Sequence, residues 1–364
     1  MQADDVRIGV VWPKPREARW KLGRTSPAEY PDMSDAFLFL EEEGFQIDIE
    51  ESLPWPFNPM VNVHEFYSGL DPLRAARVMT RMRRYDAVVC MGDATAFFLV
   101  AMRSVLGFRL PIILVDPALA PGYPRRKRLQ DYVLPRVDRV IVFGRVQLDY
   151  LRSEYGSSVS ADFIHHRADT DFYQPSHDGE AADRPYILSV GLDGARDFET
   201  LAHAARAFAE TDPAWRIVLH TSRPVSDPSG RLEISGETIS FVGLRELYAR
   251  ASVVAIPLKD AIHPGGINTL LEAMAMARPI VISASRGIGD YLADGRNASV
   301  VPPGDACAMC TAMATLVRSP EQARRLGEEA RRFVVDTCDN RLYARDFATI
   351  IREVITQGGS RRER

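Results

Sequence analysis

Short apolar runs and amphipathic stretches alternate along nearly the whole chain. Arg7–Trp12, Phe45–Ile49, Ala87–Met91, Ile112–Val115 and Arg139–Phe143 are continuous apolar runs, the pattern of strands buried on both faces. Asp35–Glu43, Asp71–Arg84, Ala94–Leu106 and Gln147–Tyr155 place apolar residues at helical spacing, and Gly44 closes the first of them. Strands that alternate with helices predict a mostly parallel sheet covered by helices.

The alternation stops near Pro175. Ser176–Arg184 reads SHDGEAADR, a polar stretch with the composition of a linker. A second alternation follows. Its expected strands are Tyr186–Val190, Trp215–His220, Ile239–Val242, Val253–Pro257, Ile280–Ser283 and Ala298–Val301. Its expected helices are Phe198–Thr211, Leu244–Ala251, Asn268–Ala277, Ala306–Arg318 and Glu321–Asp336. Arg341–Thr356 is a last amphipathic helix, and Gly358–Arg364 reads as a frayed tail. The expected plan is α/β: a Rossmann-like domain over 1–174, a linker over 175–184 and a second Rossmann-like domain over 185–340. Residues 341–364 would form a helix able to pack back on the first domain, and a tail. The two domains would face a cleft. Ligands of such sheets bind outside the carboxyl ends of the strands.

Composition narrows the function. A chain of 364 residues suits two cores better than one. It is 46% apolar and 26% charged, the profile of a globular protein. A net charge of −4 gives no bulk attraction to nucleic acid, so no nucleic-acid partner is expected. No signal peptide is visible, and no run approaches the roughly 20 apolar residues of a membrane span. Four cysteines (Cys90, Cys307, Cys310, Cys338) argue for a reducing, cytoplasmic setting. Cys307-Ala-Met-Cys310 lies on an amphipathic helix without a second ligand pair, so it reads as small apolar residues rather than a metal site.

The segment Ile256–Val281 carries the clearest chemistry: IPLKDAIHPGGINTLLEAMAMARPIV. A strand ends at Pro257, a loop carries His263, Gly265 and Gly266, and a helix starts near Asn268. Two glycines beside the free N–H groups of a helix start make an anion site that suits a diphosphate, with Ile267, Asn268 and Thr269 supplying amides. Glu272 lies about one turn into the helix. It can accept bonds from both hydroxyls of a ribose, or be an acid that the helix dipole favours.

The order from Gly265 to Val281 resembles the donor segment of GT-B glycosyltransferases, in particular retaining family 4, where G-F-G-x-x-x-x-E-A-M-A-x-G-x-P-V-V is usual. Asp169-Thr-Asp-Phe-Tyr-Gln-Pro175, Ile187-Leu-Ser-Val-Gly191, Gly287–Gly295, Val301-Pro-Pro-Gly-Asp305 and Ser319-Pro-Glu321 resemble further motifs of that family. The resemblance implies GT-B architecture, two Rossmann-like βαβ domains facing a cleft. It also implies a UDP-, GDP- or dTDP-sugar as donor, no cofactor, no obligatory metal, and transfer to an acceptor hydroxyl with retention. Gly191 matches the turn after the first strand of the donor domain. Gly243 begins the segment that, in the family, meets the nucleobase through backbone groups. The family carries two glutamates; Glu272 matches the second, and Pro264 stands at the first, which leaves His263 to face the sugar. Leu192 and Asp193 replace an Arg/Lys pair, so Arg196 and Arg223 are the candidate cations for the diphosphate. Either can equally be a surface arginine.

The first half should bind the acceptor. Asp116 follows the strand Ile112–Val115 and is the candidate to orient or deprotonate the acceptor hydroxyl, or else starts an Asp-Pro turn. Lys14, Arg16, Arg19, Lys21 and Arg24 make the loop Pro13–Pro31 basic, fit for an acidic acceptor or for solvent. Pro124-Arg-Arg-Lys-Arg128 can touch anionic headgroups, a peripheral membrane contact, or form a solvated turn. The aromatic stretches Leu53–Pro59 and Val61–Tyr67 can line the acceptor pocket or pack as a loop. His165-His166-Arg167 follows a strand near the domain junction and lacks a third metal ligand. Two alternatives stand beside glycosyl transfer: a nucleotide-sugar epimerase or hydrolase of the same fold, and a non-catalytic GT-B partner.

Overall fold

The computed structural model describes residues 6–13, 18, 21–22, 25–32, 36–52, 70–115, 119, 124–175 and 185–360. The chain divides into two compact units. The first is Met1–Thr25, Asp32–His165 and Arg341–Arg364; the second is Ser26–Pro31 and His166–Asn340.

The first unit holds six parallel strands: β1 (Val6–Val11), β2 (Phe45–Ile49), β3 (Ala87–Met91), β4 (Ile112–Val115), β5 (Arg139–Val142) and β6 (Ala161–Phe163). Their order is β2-β1-β3-β4-β5-β6, so the direction of winding reverses between β1 and β3. Its helices are α1 (Phe37–Glu42), α2 (Pro72–Thr80), α3 (Asp93–Leu106), α4 (Pro124–Val133) and α5 (Arg145–Tyr155). Ile8, Val10, Val89, Ile113 and Ile141 form the buried centre with Phe37 and Leu40. The C-terminal helix, Asn340–Ser360, adds Tyr343, Phe347 and Ile351 to this same core. Phe347 meets Phe37 edge-on at 5.9 Å.

The second unit repeats the plan with β7 (Tyr186–Val190), β8 (Arg216–His220), β9 (Leu232–Ser235), β10 (Val253–Ile256), β11 (Ile280–Ser283) and β12 (Ser299–Val301). All pairings are parallel, in the order β12-β11-β10-β7-β8-β9. Winding reverses between β7 and β10. In doubly wound sheets the ligand crevice opens at such a switch, outside the carboxyl ends of the strands. The helices are α6 (Phe198–Thr211), α7 (Phe241–Arg250), α8 (Ile267–Ala275), α9 (Ala306–Arg318) and α10 (Pro320–Thr337).

Three expectations are corrected. Ile239–Val242 is not a strand: Ser240 caps α7, its hydroxyl accepting from the Gly243 amide at 3.0 Å, and the apolar run is the first turn of that helix. The strand in this region is β9, whose single buried residue, Leu232, left no apolar run to read. Pro124–Arg128 is not a free turn but the start of α4; Arg126 is engaged by Asp93, and Lys127 by Asp131 at 2.6 Å. Finally, the first unit ends at His165, not at 174, so the segment 166–175 is built into the second unit. Backbone bonds explain this: Ala168 N–H donates to Cys338 O at 2.7 Å, and Asn340 N–H donates to Ala168 O at 3.2 Å.

Candidate functional site at the switch point of the second unit

The loops that leave β7 and β10 pack on each other. Lys259 N–H donates to Ala195 O at 2.8 Å, and Asp197 N–H donates to Pro257 O at 3.1 Å. Gly265 faces Ala195 so closely that any side chain at 265 would collide with the Ala195 methyl. Gly287 plays the same part on the other side, where a Cβ would strike the His263 carbonyl. The loop therefore reaches α8 by a single path. Gly266 is the N-cap of α8 at φ 77, a left-handed conformation natural to glycine, and it brings no side chain to satisfy the helix start.

Arg196 lies beside that helix start. Its side chain is only 1% exposed. Nε donates to the Asp193 carboxylate at 3.0 Å, and Nη2 donates to the Thr269 hydroxyl at 2.6 Å. Nη1 is buried without a hydrogen-bond partner. Glycines make room for the guanidinium. A side chain at Gly191 would collide with it, and a Cβ at Gly266 would lie 3.5 Å from its Cζ. A buried cationic donor without an acceptor costs roughly 1–3 kcal/mol or more, and a helix N-terminus beside it adds positive potential. Together they suit a bound anion.

Glu272 stands one turn along α8. The Tyr248 hydroxyl, on α7, donates to Oε2 at 2.9 Å. Burial raises the Glu272 carboxyl to about 7, while the hydroxyls of Tyr248 and Tyr173 and the charge of Arg196 pull it down. The residue nonetheless retains part of its surface in contact with solvent. A partly exposed acid beside two phenols and a buried arginine has the environment of a ligand-binding carboxylate.

The structure thus brings together Gly191, Arg196, Gly265, Gly266, Ile267, Thr269 and Glu272. His263 lies on the same loop, partly exposed, with Nδ1 buried and unpartnered. Asn268 is exposed, and its Oδ1 shares a hydrogen bond with His166 Nε2 at 2.9 Å. Arg223 is exposed after β8; its Nη1 is 3.5 Å from Leu192 O, near the mouth of the same loop. Gly243 sits in the first turn of α7 rather than in a loop after a strand; Tyr248 is the residue by which that helix reaches Glu272. Asp116, Lys14, Arg16, Arg19, Arg24 and the stretches Leu53–Pro59 and Val61–Tyr67 lie outside the described residues.

Three residues of the site escaped the sequence reading: Asp193, Tyr248 and Tyr173. Only the D-x-x-x-[FY]-x-P motif pointed at Tyr173, and it pointed to the wrong domain. Among the described residues no three His, Cys, Asp or Glu side chains gather as metal ligands, and no helix is long and apolar enough to cross a membrane. A cavity of about 1080 Å³ in the first unit is lined by Pro111, Asp138 and Ser160, residues that precede strands β4, β5 and β6. It lies at the amino edge of that sheet, opposite the end where ligands of such folds bind.

Two parallel six-stranded sheets, each with one reversal of winding, have the plan of the GT-B fold. Residues 184–319 match the family model described as glycosyl transferases group 1, which covers the whole site apart from 166–175. The chain is similar to MMP alpha-(1->4)-mannosyltransferase of Mycolicibacterium hassiacum, 29% identical over 177 residues. That match spans 46% of this chain and 42% of the relative, less than half of its length. Among solved structures, sucrose-phosphate synthase from Thermosynechococcus elongatus superposes with a TM-score of 0.74 at 18% identity, covering 97% of this chain and 100% of that one. Anabaena HepE in complex with UDP and glucose gives 0.69 at 14% identity, covering 95% and 99%.

Proposed function

We propose that this protein is a glycosyltransferase that takes a sugar from a nucleoside-diphosphate donor and passes it to an acceptor hydroxyl. The observation that carries this reading is the unpartnered Nη1 of Arg196, buried between Gly191 and Gly266 at the start of α8. A diphosphate supplies the missing acceptor. The HepE complex with UDP and glucose supports a nucleotide-sugar as the ligand, and the mannosyltransferase relative supports glycosyl transfer.

In this reading the bond between the anomeric carbon and the diphosphate oxygen breaks, and its electron pair leaves on the diphosphate. Arg196 and the amides at the start of α8 stabilise that charge, with Arg223 at the mouth. The acceptor oxygen bonds to the anomeric carbon and passes its proton to the carboxylate of Asp116, the group proposed to orient and deprotonate it. Glu272 accepts from the ribose hydroxyls. His263 faces the sugar, because Pro264 occupies the place of an acid. Retention of configuration and independence of metal belong to the same proposal.

Thermal-shift titration with UDP, GDP and dTDP tests the site. At least one should raise the melting temperature, and Arg196→Ala should abolish the rise. If none does, the donor reading falls. Incubation of a donor panel with EDTA, read by mass spectrometry and by NMR of the product anomer, then tests metal independence and retention.

A further inference from the structure

Glu272 does not stand in its wall unaided. Tyr248, fully buried in α7, donates to Oε2. Tyr173, 3% exposed, meets Tyr248 edge-on with ring centroids 6.3 Å apart. Its hydroxyl is buried beside Glu272, close enough for each to shift the other's ionisation, but makes no hydrogen bond of good geometry. A phenylalanine would fill the same space without a buried orphan hydroxyl, which costs roughly 1–3 kcal/mol.

The turn that carries Tyr173 is held from several sides. Tyr173 N–H donates to Asp169 O at 2.9 Å. Arg331 on α10 donates to Tyr173 O and to Ala275 O, both at 2.8 Å, and to Thr170 O at 3.1 Å. Arg245 on α7 lies over the Phe172 ring at 4.4 Å and donates to Phe172 O at 3.3 Å. The phenol is therefore fixed against α7 and α8, with its donor unused.

We propose that Tyr173 and Tyr248 are positioning residues that together hold the Glu272 carboxylate for the ribose diol of the nucleotide, Tyr173 donating its free hydroxyl once the carboxylate is engaged. The inference rests on the donor reading above. Every group that faces Glu272 fits it. Tyr248 comes from α7 and Arg196 from the loop after β7, and both favour the charged carboxylate, as does Tyr173; Asp169 and Arg245 face Tyr173 in turn. Two phenols take over what water would do for a carboxylate in the open, and they leave its remaining oxygen for the ligand.

The test compares Tyr173→Phe, Tyr248→Phe and Glu272→Gln with the unchanged protein, each titrated from pH 6 to 9 with whichever of UDP, GDP and dTDP the unchanged protein binds, and with its 2′-deoxy form where the ligand is a ribonucleotide. The same variants are melted across that range without nucleotide. The unchanged protein should bind more tightly as pH rises through about 7. Each phenylalanine variant should move that midpoint upward by about one unit, giving about fivefold weaker binding at pH 7 and little change at pH 9. Glu272→Gln should lose the pH dependence and most of the preference for ribose over deoxyribose. Affinity and midpoint unchanged in both tyrosine variants would overturn the proposal. If the unchanged protein binds no nucleotide, the donor reading falls instead, and the melting midpoints alone decide whether the tyrosines govern Glu272.

Discussion

Each unit places a buried arginine and an acid at the carboxyl ends of its strands, and the two pairs are furnished differently. In the first unit Arg74 on α2 donates from Nη1 to Trp12 O at 2.5 Å and to the Ser52 hydroxyl at 2.8 Å, with Asp71 beside it at 3.9 Å. Asp93, at the start of α3, receives Arg126 through Nε at 3.2 Å and Nη2 at 3.1 Å, and Gln130 at 2.8 Å. In the second unit Arg196 keeps one nitrogen unmatched, and Glu272 has phenols where Asp93 has an arginine. Arg74 and Asp93 tie loops and helices together within their unit, so their polar atoms are spent on the protein. Arg196 and Glu272 hold capacity in reserve at the sheet's switch point, which is what a ligand site requires.

The comparison can be broken at several points. The largest effect should be Arg74→Ala, which removes the buried bonds to Trp12 O and the Ser52 hydroxyl and the ion pair with Asp71, and should lower the unfolding free energy by about 3–5 kcal/mol in urea titrations. Arg196→Ala should instead weaken binding of a nucleoside diphosphate by about 100-fold in calorimetry, with the smaller loss of stability. Equal destabilisation by the two, with nucleotide binding intact in the second, would erase the distinction.

Gly191→Ala is a finer probe. It keeps every charge but drives a methyl into the Arg196 guanidinium, and affinity should fall by about tenfold on the order of one displaced charged hydrogen bond. Wild-type affinity would show that the guanidinium position does not matter.

Acid should act through Glu272. Its carboxyl is raised from 4.5 in the unfolded chain to about 7 in the folded one, so between those values the folded state holds the extra proton. Its contribution is full below about pH 4.5 and is lost as pH rises through about 7, on the order of 2 kcal/mol after allowing for partial exposure. Melting curves of Glu272→Gln should lack this slope; an identical slope would assign it to another group. The smallest expected effect lies just beyond the site. Ala277 is left-handed at φ 52, so Ala277→Gly should stabilise the second unit by about 1 kcal/mol and leave affinity alone.

Much of the architecture and part of the site were legible in the chain itself. Continuous apolar strands, amphipathic helices and the polar break after Pro175 depend on near neighbours, and β2, β3, β4, β7, β11, α6 and α9 fall where their patterns predict. Gly265, Gly266 and Glu272 were legible for the same reason, since one loop and one helix turn contain them. The remainder depends on partners far along the chain. Arg196 meets Thr269 across 73 positions, and Tyr248 meets Glu272 across 24. Ile239–Val242 has an apolar run that suits a strand or a helix, and the Ser240 cap chose the helix. Residues 166–175 precede the polar break, yet their hydrogen bonds to Cys338 and Asn340 bind them to the second unit. Periodicity records which face of an element is buried. Which buried donors are left without an acceptor is a property of the packed neighbours, and only the tertiary structure decided that Arg196 and Tyr173 would be among them.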